Sequence, residues 1–443
     1  MKSNNCLTKK NNKEITMNNI KMKNSGIEWI GEIPDDWNLI KVGSIFQCRN
    51  EKVNDTDYPP LSVSKGGVVP QMDSVAKSDA NDNRKLVLQN DFVINSRSDR
   101  KQSCGYSTLK GSVSLINTVL YTTNNKIQLP QYTDYLMKNY GFAEEFYRWG
   151  HGIVADLWTT RWQEMKSIVL PIPSIDIQQK IADYLDKKCA AVDRLIENQR
   201  AQIEKLKEYK QSVITEAVTR GLDPSAPMKD SGIEWIGDIA ESRKIVRLKF
   251  LLSQNMAYGA NESGDKNFTD SVRYIRITDI TADGKLKNDE DNQYLLKEKA
   301  KEYILADKDI LFARSGGTVG KTFLYRNVYG ECAYAGYLIQ AKCNPIKLLP
   351  EYLMYYTQSS LYSLWKNMIF IQATIQNIGA NKYSNLEIVV MDFEEQKMIV
   401  SYLDKKCAEI DKLISIKQQK IETLTEYKKS LIYEYVTGKK QVI

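Results

Sequence analysis

The feature that most constrains this chain is that it repeats. Lys23–Ile33 reads KNSGIEWIGEI and Lys229–Ile239 reads KDSGIEWIGDI, an offset of 206 residues. Tyr184–Cys189 reads YLDKKC and returns at Tyr402–Cys407, an offset of 218. Glu208-Tyr209-Lys210 matches Glu426-Tyr427-Lys428, and Val218-Thr219 matches Val436-Thr437. The middles match only through Asp91 and Asp309, then Pro130 and Tyr132 against Pro350 and Tyr352. Two copies of this length are too few and too large for a solenoid. They suit a pseudo-two-fold dimer fused into one chain.

Each copy ends in a long periodic segment. Leu185, Cys189, Val192, Ile196, Gln199, Ile203 and Leu206 recur at alternating steps of four and three, as do Leu403, Cys407, Ile410, Ile414, Lys417, Ile421 and Leu424. A 3.5-residue seam on charged helices predicts coiled-coil packing. About 38 residues at 1.5 Å each give a helix of ~57 Å. Gln199/Lys417 and Lys210/Lys428 interrupt both seams at matching places, either at a solvent edge or as register-setting polar positions. Gly221, Pro224 and Pro227 end the first helix in a short stiff linker.

The bodies read as mixed α and β, which makes the fold class α+β. Val87–Asn95, Val113–Leu120 and Ser167–Ile172 predict strands in the first body; Val272–Ile277, Asp309–Ala313 and Leu386–Met391 predict them in the second. Tyr132–Trp149 and Tyr352–Asn367 read as helices whose aromatics belong to the core.

Composition narrows function. With 42% hydrophobic and 26% charged residues among 443, the chain can bury sizeable cores. No apolar run reaches the ~18–20 residues that span a bilayer, and seven cysteines without a C-x-x-C suit a reducing cytosol. A single histidine, His151, shuts out most zinc hydrolases and Ser-His-Asp triads. The net charge of +7 comes mostly from six lysines in a Lys/Asn-rich tail, residues 1–24, which reads as disordered. Bulk charge therefore argues for no partner.

Catalytic motifs fall short. Ser315–Thr322, SGGTVGKT, is one residue from a P-loop, yet apolar β-type sequence follows where a helix should open. Neither an adenine-methyltransferase element nor a nuclease core is present. Polar loops remain. Arg97, Arg100 and Lys101 lie at a strand-end loop of the first body, with Trp158, Thr159 and Arg161 later in it. Tyr258, Arg314, Ser315, Lys321, Gln376 and Asn377 are their candidates in the second. Cationic forks suit phosphates and guanine edges, and amides suit adenine.

With these parts assembled, the chain resembles the specificity subunit of Type I restriction–modification systems. The matching strings are SGIEWIGEIPDDW (Ser25–Trp37), SGIEWIGDI (Ser231–Ile239), DILFARSGGTVGK (Asp309–Lys321), LPIPSIDIQQKIADYLD (Leu170–Asp186) and FEEQKMIVSYLD (Phe393–Asp404). The resemblance covers Ser25 to about Lys439. It implies target-recognition domains at 25–174 and 231–392, a central conserved helix at 175–220, a linker at 221–230 and a distal helix at 393–438. The two helices would pack as an antiparallel coiled coil. Each domain would read half of a bipartite double-stranded DNA site. Two methyltransferase subunits would dock on the helices, and motor-nuclease subunits would join them. This chain would be non-catalytic and cytoplasmic, away from any membrane, binding no metal or cofactor. S-adenosylmethionine, ATP and Mg would sit on partner subunits. A coiled-coil scaffold and a single-chain DNA-modifying enzyme are the rival readings. Two departures stand out: Val389 and Met391 replace Pro171 and Pro173, and Arg243 replaces Trp37, which puts that tryptophan's packing role in doubt.

Overall fold

The computed structural model describes residues 21–71, 82–97, 100–123, 127–152, 158–266, 268–281, 284–287, 290–371 and 377–442. Most of the lysine-rich tail thus lies outside the described residues. Two compact units emerge: residues 1–198 with 420–443, and residues 199–419. These units cut across the linear segmentation, because each combines one body with part of both long helices, Ile175–Thr219 and Phe393–Val436.

In the first unit a four-stranded sheet runs in the order Cys104–Tyr106, Phe92–Asn95, Asn117–Thr122, Phe46–Cys48. In the second, Thr322–Leu324, Ile310–Ala313, Leu338–Ala341 and Ala257–Tyr258 follow the same order. A three-stranded sheet accompanies each. Phe92, Val93 and Ile94, like Ile310, Leu311 and Phe312, are buried on both faces, so the central strands read as continuous apolar runs.

The repeated SGIEWIG motif forms the same hairpin twice. Met22–Asn24 pairs with Glu32–Pro34, and Met228–Asp230 pairs with Asp238–Ala240 in the same register. This corrects two boundaries. Residues 22–24 are a strand and not disordered tail, and residues 228–230 are a strand and not linker, because each finds a backbone partner ten residues on.

Several expected elements split. Val87–Asn95 becomes Arg84–Val87 and Phe92–Asn95, since Asn90 takes a left-handed φ of 69° and Asp91 accepts from Leu88 N at 2.8 Å. Val113–Leu120 divides at a turn in which Asn117 N donates to Ser114 O. Tyr132–Trp149 is two helices, Pro130–Lys138 and Tyr140–Arg148, broken at Asn139, whose side chain caps Phe142 N at 3.1 Å. Tyr352–Asn367 divides likewise into Pro350–Tyr356 and Ser360–Ile371. The missing prolines change no pairing: Glu387–Val390 meets Lys244–Arg247 in the register of Val169–Ile172 on Asn38–Lys41.

Within each unit the long helices run antiparallel. In the first, the Tyr184 and Tyr435 rings lie 4.6 Å apart and Lys428 Nζ is 2.7 Å from Asp193. In the second, Lys210 Nζ is 2.8 Å from Asp411, and Lys417 donates to Gln202 Oε1. Leu185, Cys189, Val192, Ile196, Ile203, Leu403, Cys407, Ile410 and Ile421 are buried. Leu206, Ile414 and Leu424 are only half-buried. Of the polar seam residues, Lys210 and Lys428 make ion pairs across the helices, Lys417 bonds the Gln202 amide, and Gln199 is buried.

Two buried anchors fasten helix to body. Gln178 accepts from Leu129 N at 2.7 Å and donates to Pro173 O and Ile127 O; Gln396 makes the matching set with Leu349 N, Met391 O and Lys347 O. Tyr132 Oη lies 2.9 Å from Pro171 O and 3.0 Å from Val436 O. Tyr352 Oη lies 2.7 Å from Val389 O and 3.5 Å from Val218 O. Each body thus closes on the helix end that belongs to the other repeat. Trp37 keeps its packing role in the first unit, 2% exposed in the core with Ile177 against it. In the second unit the replacement Arg243 is equally buried, and Glu395 neutralises it.

Candidate nucleic-acid interface

The second unit builds its candidate site at the end of the buried strand Ile310–Ala313. Ala313 is held from both sides: its N donates to Lys321 O at 2.8 Å, and its O accepts from Gly320 N at 2.9 Å and from Tyr383 Oη at 2.7 Å. Arg314 then leaves the sheet on two backbone bonds, donating to Tyr337 O at 3.0 Å and accepting from Ile378 N at 2.8 Å. Ser315 forms an antiparallel bridge with Asn377. The Arg314 guanidinium lies 5.1 Å from the centroid of Tyr258, an interaction worth roughly 0.5–2 kcal/mol. Tyr258 Oη in turn accepts from Ala380 N at 3.0 Å, and its ring is 45% exposed.

The structure therefore brings together Tyr258, Arg314, Ser315 and Asn377, which lie far apart in the chain. Arg314 Nε and Asn377 Oδ1 are buried without a hydrogen-bond partner among the described residues. A donor and an acceptor left unsatisfied each cost about 1–3 kcal/mol unless water or a ligand meets them. Gln376 lies outside the described residues. Lys321 leads the next strand, Thr322–Leu324, antiparallel to Ile310–Ala313. Between them Gly316–Thr318 makes one 3-10 turn, and Gly316 takes a φ of 74° with open space around it. SGGTVGKT is thus a hairpin loop. It has no helix whose N-terminus could cradle phosphates as a P-loop does.

The first unit uses the same backbone frame with other side chains. Arg97 bridges Thr159 at the positions where Ser315 bridges Asn377, and Thr160 N donates to Ser96 O at 3.0 Å as Ile378 N does to Arg314 O. Ser96, buried and 2.9 Å from Thr118 Oγ1, stands where the second unit has Arg314. The cation therefore moves one residue along, to Arg97, which is half-buried. Arg100 and Arg161 are exposed, and Arg161 heads the short helix Trp162–Met165.

Lys101 and Trp158 are both held by the helix Tyr140–Arg148. Lys101 Nζ is 2.8 Å from Glu144 and 4.4 Å from the Tyr147 centroid. Trp158 Nε1 donates to Tyr147 O at 2.9 Å, and its ring lies 5.7 Å from that of Tyr147. Gly150 must be glycine beneath it, since a Cβ there would sit 2.3 Å from the indole nitrogen. Sequence reasoning missed Tyr337, which is 60% exposed beside Arg314, and the paired glutamines Gln178 and Gln396. The 218-residue offset aligns those glutamines and could have found them.

The two bodies thus share one backbone frame, and their strand-end loops carry different side chains on it. Residues 236–426 match the family described as the Type I restriction modification DNA specificity domain. Over 430 residues the chain is 22% identical to the MjaVIII specificity subunit of Methanocaldococcus jannaschii, spanning 93% of this chain and 94% of that one. It is 27% identical over 148 residues to the StySPI specificity subunit of Salmonella potsdam, a match spanning 31% of that protein's length. A solved structure from work on assembly and conformational transition of the type I R-M system aligns with a TM-score of 0.67 at 14% identity, covering 91% of this chain and 98% of that one. Residues 236–426 thus carry the Type I restriction modification DNA specificity domain, and the chain as a whole is similar to Type I specificity subunits in sequence and in fold.

Proposed function

We propose that this chain is the DNA-reading, non-catalytic subunit of a Type I restriction–modification complex, each unit reading half of a bipartite duplex target. The observation that carries the reading is the matched pair of bridges, Arg97 to Thr159 and Ser315 to Asn377. One backbone frame presents two different chemical faces, as two unlike half-sites require. Recognition domains that open with the hairpin strands Met22–Asn24 and Met228–Asp230, with the helices between and after them, belong to this proposal.

The partners follow from the helices. Leu195 and Tyr427 of the first unit, and Tyr209 and Leu413 of the second, are each 47–53% exposed. Exposed Leu–Tyr pairs at repeat-equivalent places suit two copies of one partner, the methyltransferase subunits, with motor-nuclease subunits added to them. S-adenosylmethionine, ATP and Mg then act on those partners in the cytoplasm. No helix among the described residues is long and apolar enough to cross a membrane.

The test is an exchange of Asn38–Ser167 for the corresponding body of a related subunit, followed by methylome sequencing of the host. One half of the methylated motif should change and the other should persist. Movement of both halves, or of neither, would sink the reading. A scaffold without a DNA role predicts no change at all.

A further inference from the structure

One cation near the second unit's loop came from no sequence signal. Lys366 lies on the helix Ser360–Ile371, one turn after Tyr362. Tyr362 Oη donates to Gly320 O at 2.9 Å, and the Lys366 ammonium lies 5.0 Å from the Tyr362 centroid. The two side chains clasp Gly320 between them. Gly320 takes a φ of 81°, and a Cβ on it would sit 2.3 Å from Lys366 Cδ. A side chain at residue 320 would have to displace the lysine stem, so glycine lets lysine and turn approach this closely.

Packing does not explain the lysine. Its counterpart in the first unit is Phe146, a buried core residue on the matching helix Tyr140–Arg148. The counterpart of Gly320 is Gln102, which also takes a left-handed φ, of 64°. The same frame is therefore stable with an apolar residue at this place. Lys366 makes no ion pair with any acid among the described residues, and burial pushes its ammonium below the ordinary lysine value. A desolvated cation without a counterion costs stability unless something brings an anion to it.

We propose that Lys366 contacts a DNA phosphate, its ammonium held over Gly320 so that the backbone of the half-site is gripped beside Arg314 and Lys321. The proposal rests on the DNA-reading function above and adds a contact that carries no sequence information: it fixes position, while Arg314 and Asn377 face the bases. Its chemistry requires the phosphodiester of a duplex, and the contribution should be the same for every sequence.

The experiment uses the full chain, a mixed-sequence 40-base-pair duplex and a series of sodium chloride concentrations. Lys366→Met keeps the stem and removes the charge; Lys366→Arg keeps both. Releasing one fewer counterion should lower the slope of log affinity against log salt by about 0.9 in Lys366→Met, with an affinity loss of about 5–10-fold near 0.1 M salt. Lys366→Arg should stay within about 2-fold of the parent in the same titration. Because desolvation of the ammonium opposes its contact with Tyr362 and methionine keeps the stem's packing, Lys366→Met should melt close to the parent. An unchanged slope in Lys366→Met overturns the proposal, and so does a methionine variant that melts well below the parent, which marks a structural lysine. A parent chain that binds no duplex at any salt removes the DNA reading itself, a result distinct from a binding parent with an indifferent Lys366→Met.

Discussion

Arg243 meets Glu395 through two guanidinium–carboxylate bonds, Nη2 to Oε1 at 2.6 Å and Nη1 to Oε2, at a place where the first repeat has Trp37 and Ile177. An ion pair stands here where the first repeat has two apolar residues of one core. Arg243 Nη2 also lies 3.5 Å from Arg220 O at the end of the first long helix. A cation there complements the carbonyls that the helix terminus leaves unpaired.

Removing one partner should therefore be costly and replacing both should not. Glu395 is 28% exposed, which lowers the penalty for breaking the pair to about 2–4 kcal/mol. Glu395→Gln should show that loss in urea unfolding of the full chain. The double change Arg243→Trp with Glu395→Ile, which copies the first unit, should recover most of it. If the double variant is no better than Glu395→Gln, the two sites do not share one frame.

The cross-helix pairs Lys210–Asp411 and Lys428–Asp193 are half-exposed, so each should contribute only about 0.2–1 kcal/mol. Asp411→Lys should destabilise the second unit by a similar amount. Adding Lys210→Asp should restore it, with a coupling that shrinks as salt rises. A cycle without coupling would return these lysines to the role of solvent-edge residues.

Gln178 and Gln396 serve three buried or part-buried backbone groups each, so truncation leaves all three without this partner. Gln178→Leu should cost about 3–5 kcal/mol, since each orphaned group costs ~1–3 kcal/mol and they relax together. Hydrogen exchange should place the loss in the first unit, and Gln396→Leu should act on the second.

Arg314 rests on Tyr258 with no acid paired to it among the described residues, which argues against a structural ion pair. Arg314→Ala should leave melting nearly unchanged yet lower affinity for the second half-site by ~1–3 kcal/mol, relaxing one base position. Lys321→Ala should weaken binding uniformly and flatten its salt dependence. An Arg314→Ala variant that melts early and binds normally would assign this arginine to the fold.

Much of the architecture was legible because it is written in local repetition. The SGIEWIG copies became matched hairpins, and the 3.5-residue spacing found the buried seam from Leu185 to Ile203. Element boundaries were harder, because the turns at Asn90 and Asn139 depend on side-chain caps inside runs that look continuously apolar. The site was half legible. Arg97, Arg314 and Asn377 fall on the matched strand-end frames, while Lys101 and Trp158, alike to them in the sequence, are held by Glu144 and Tyr147.

The sequence alone determined that there would be two alike bodies and two long antiparallel-capable helices, and that familiar catalytic motifs would be missing. Periodicity and repetition are properties of neighbouring residues and need no fold to be read. Only the tertiary structure decided that each body closes on the other repeat's helix end. Tyr132 reaches Val436 O across 304 residues of chain, and Tyr352 reaches Val218 O across 134. It likewise decided that Trp37 could become Arg243 by acquiring Glu395, and that Tyr258 would lie under Arg314. Such choices depend on which buried polar groups find partners once distant segments meet, and that free energy has no local signature.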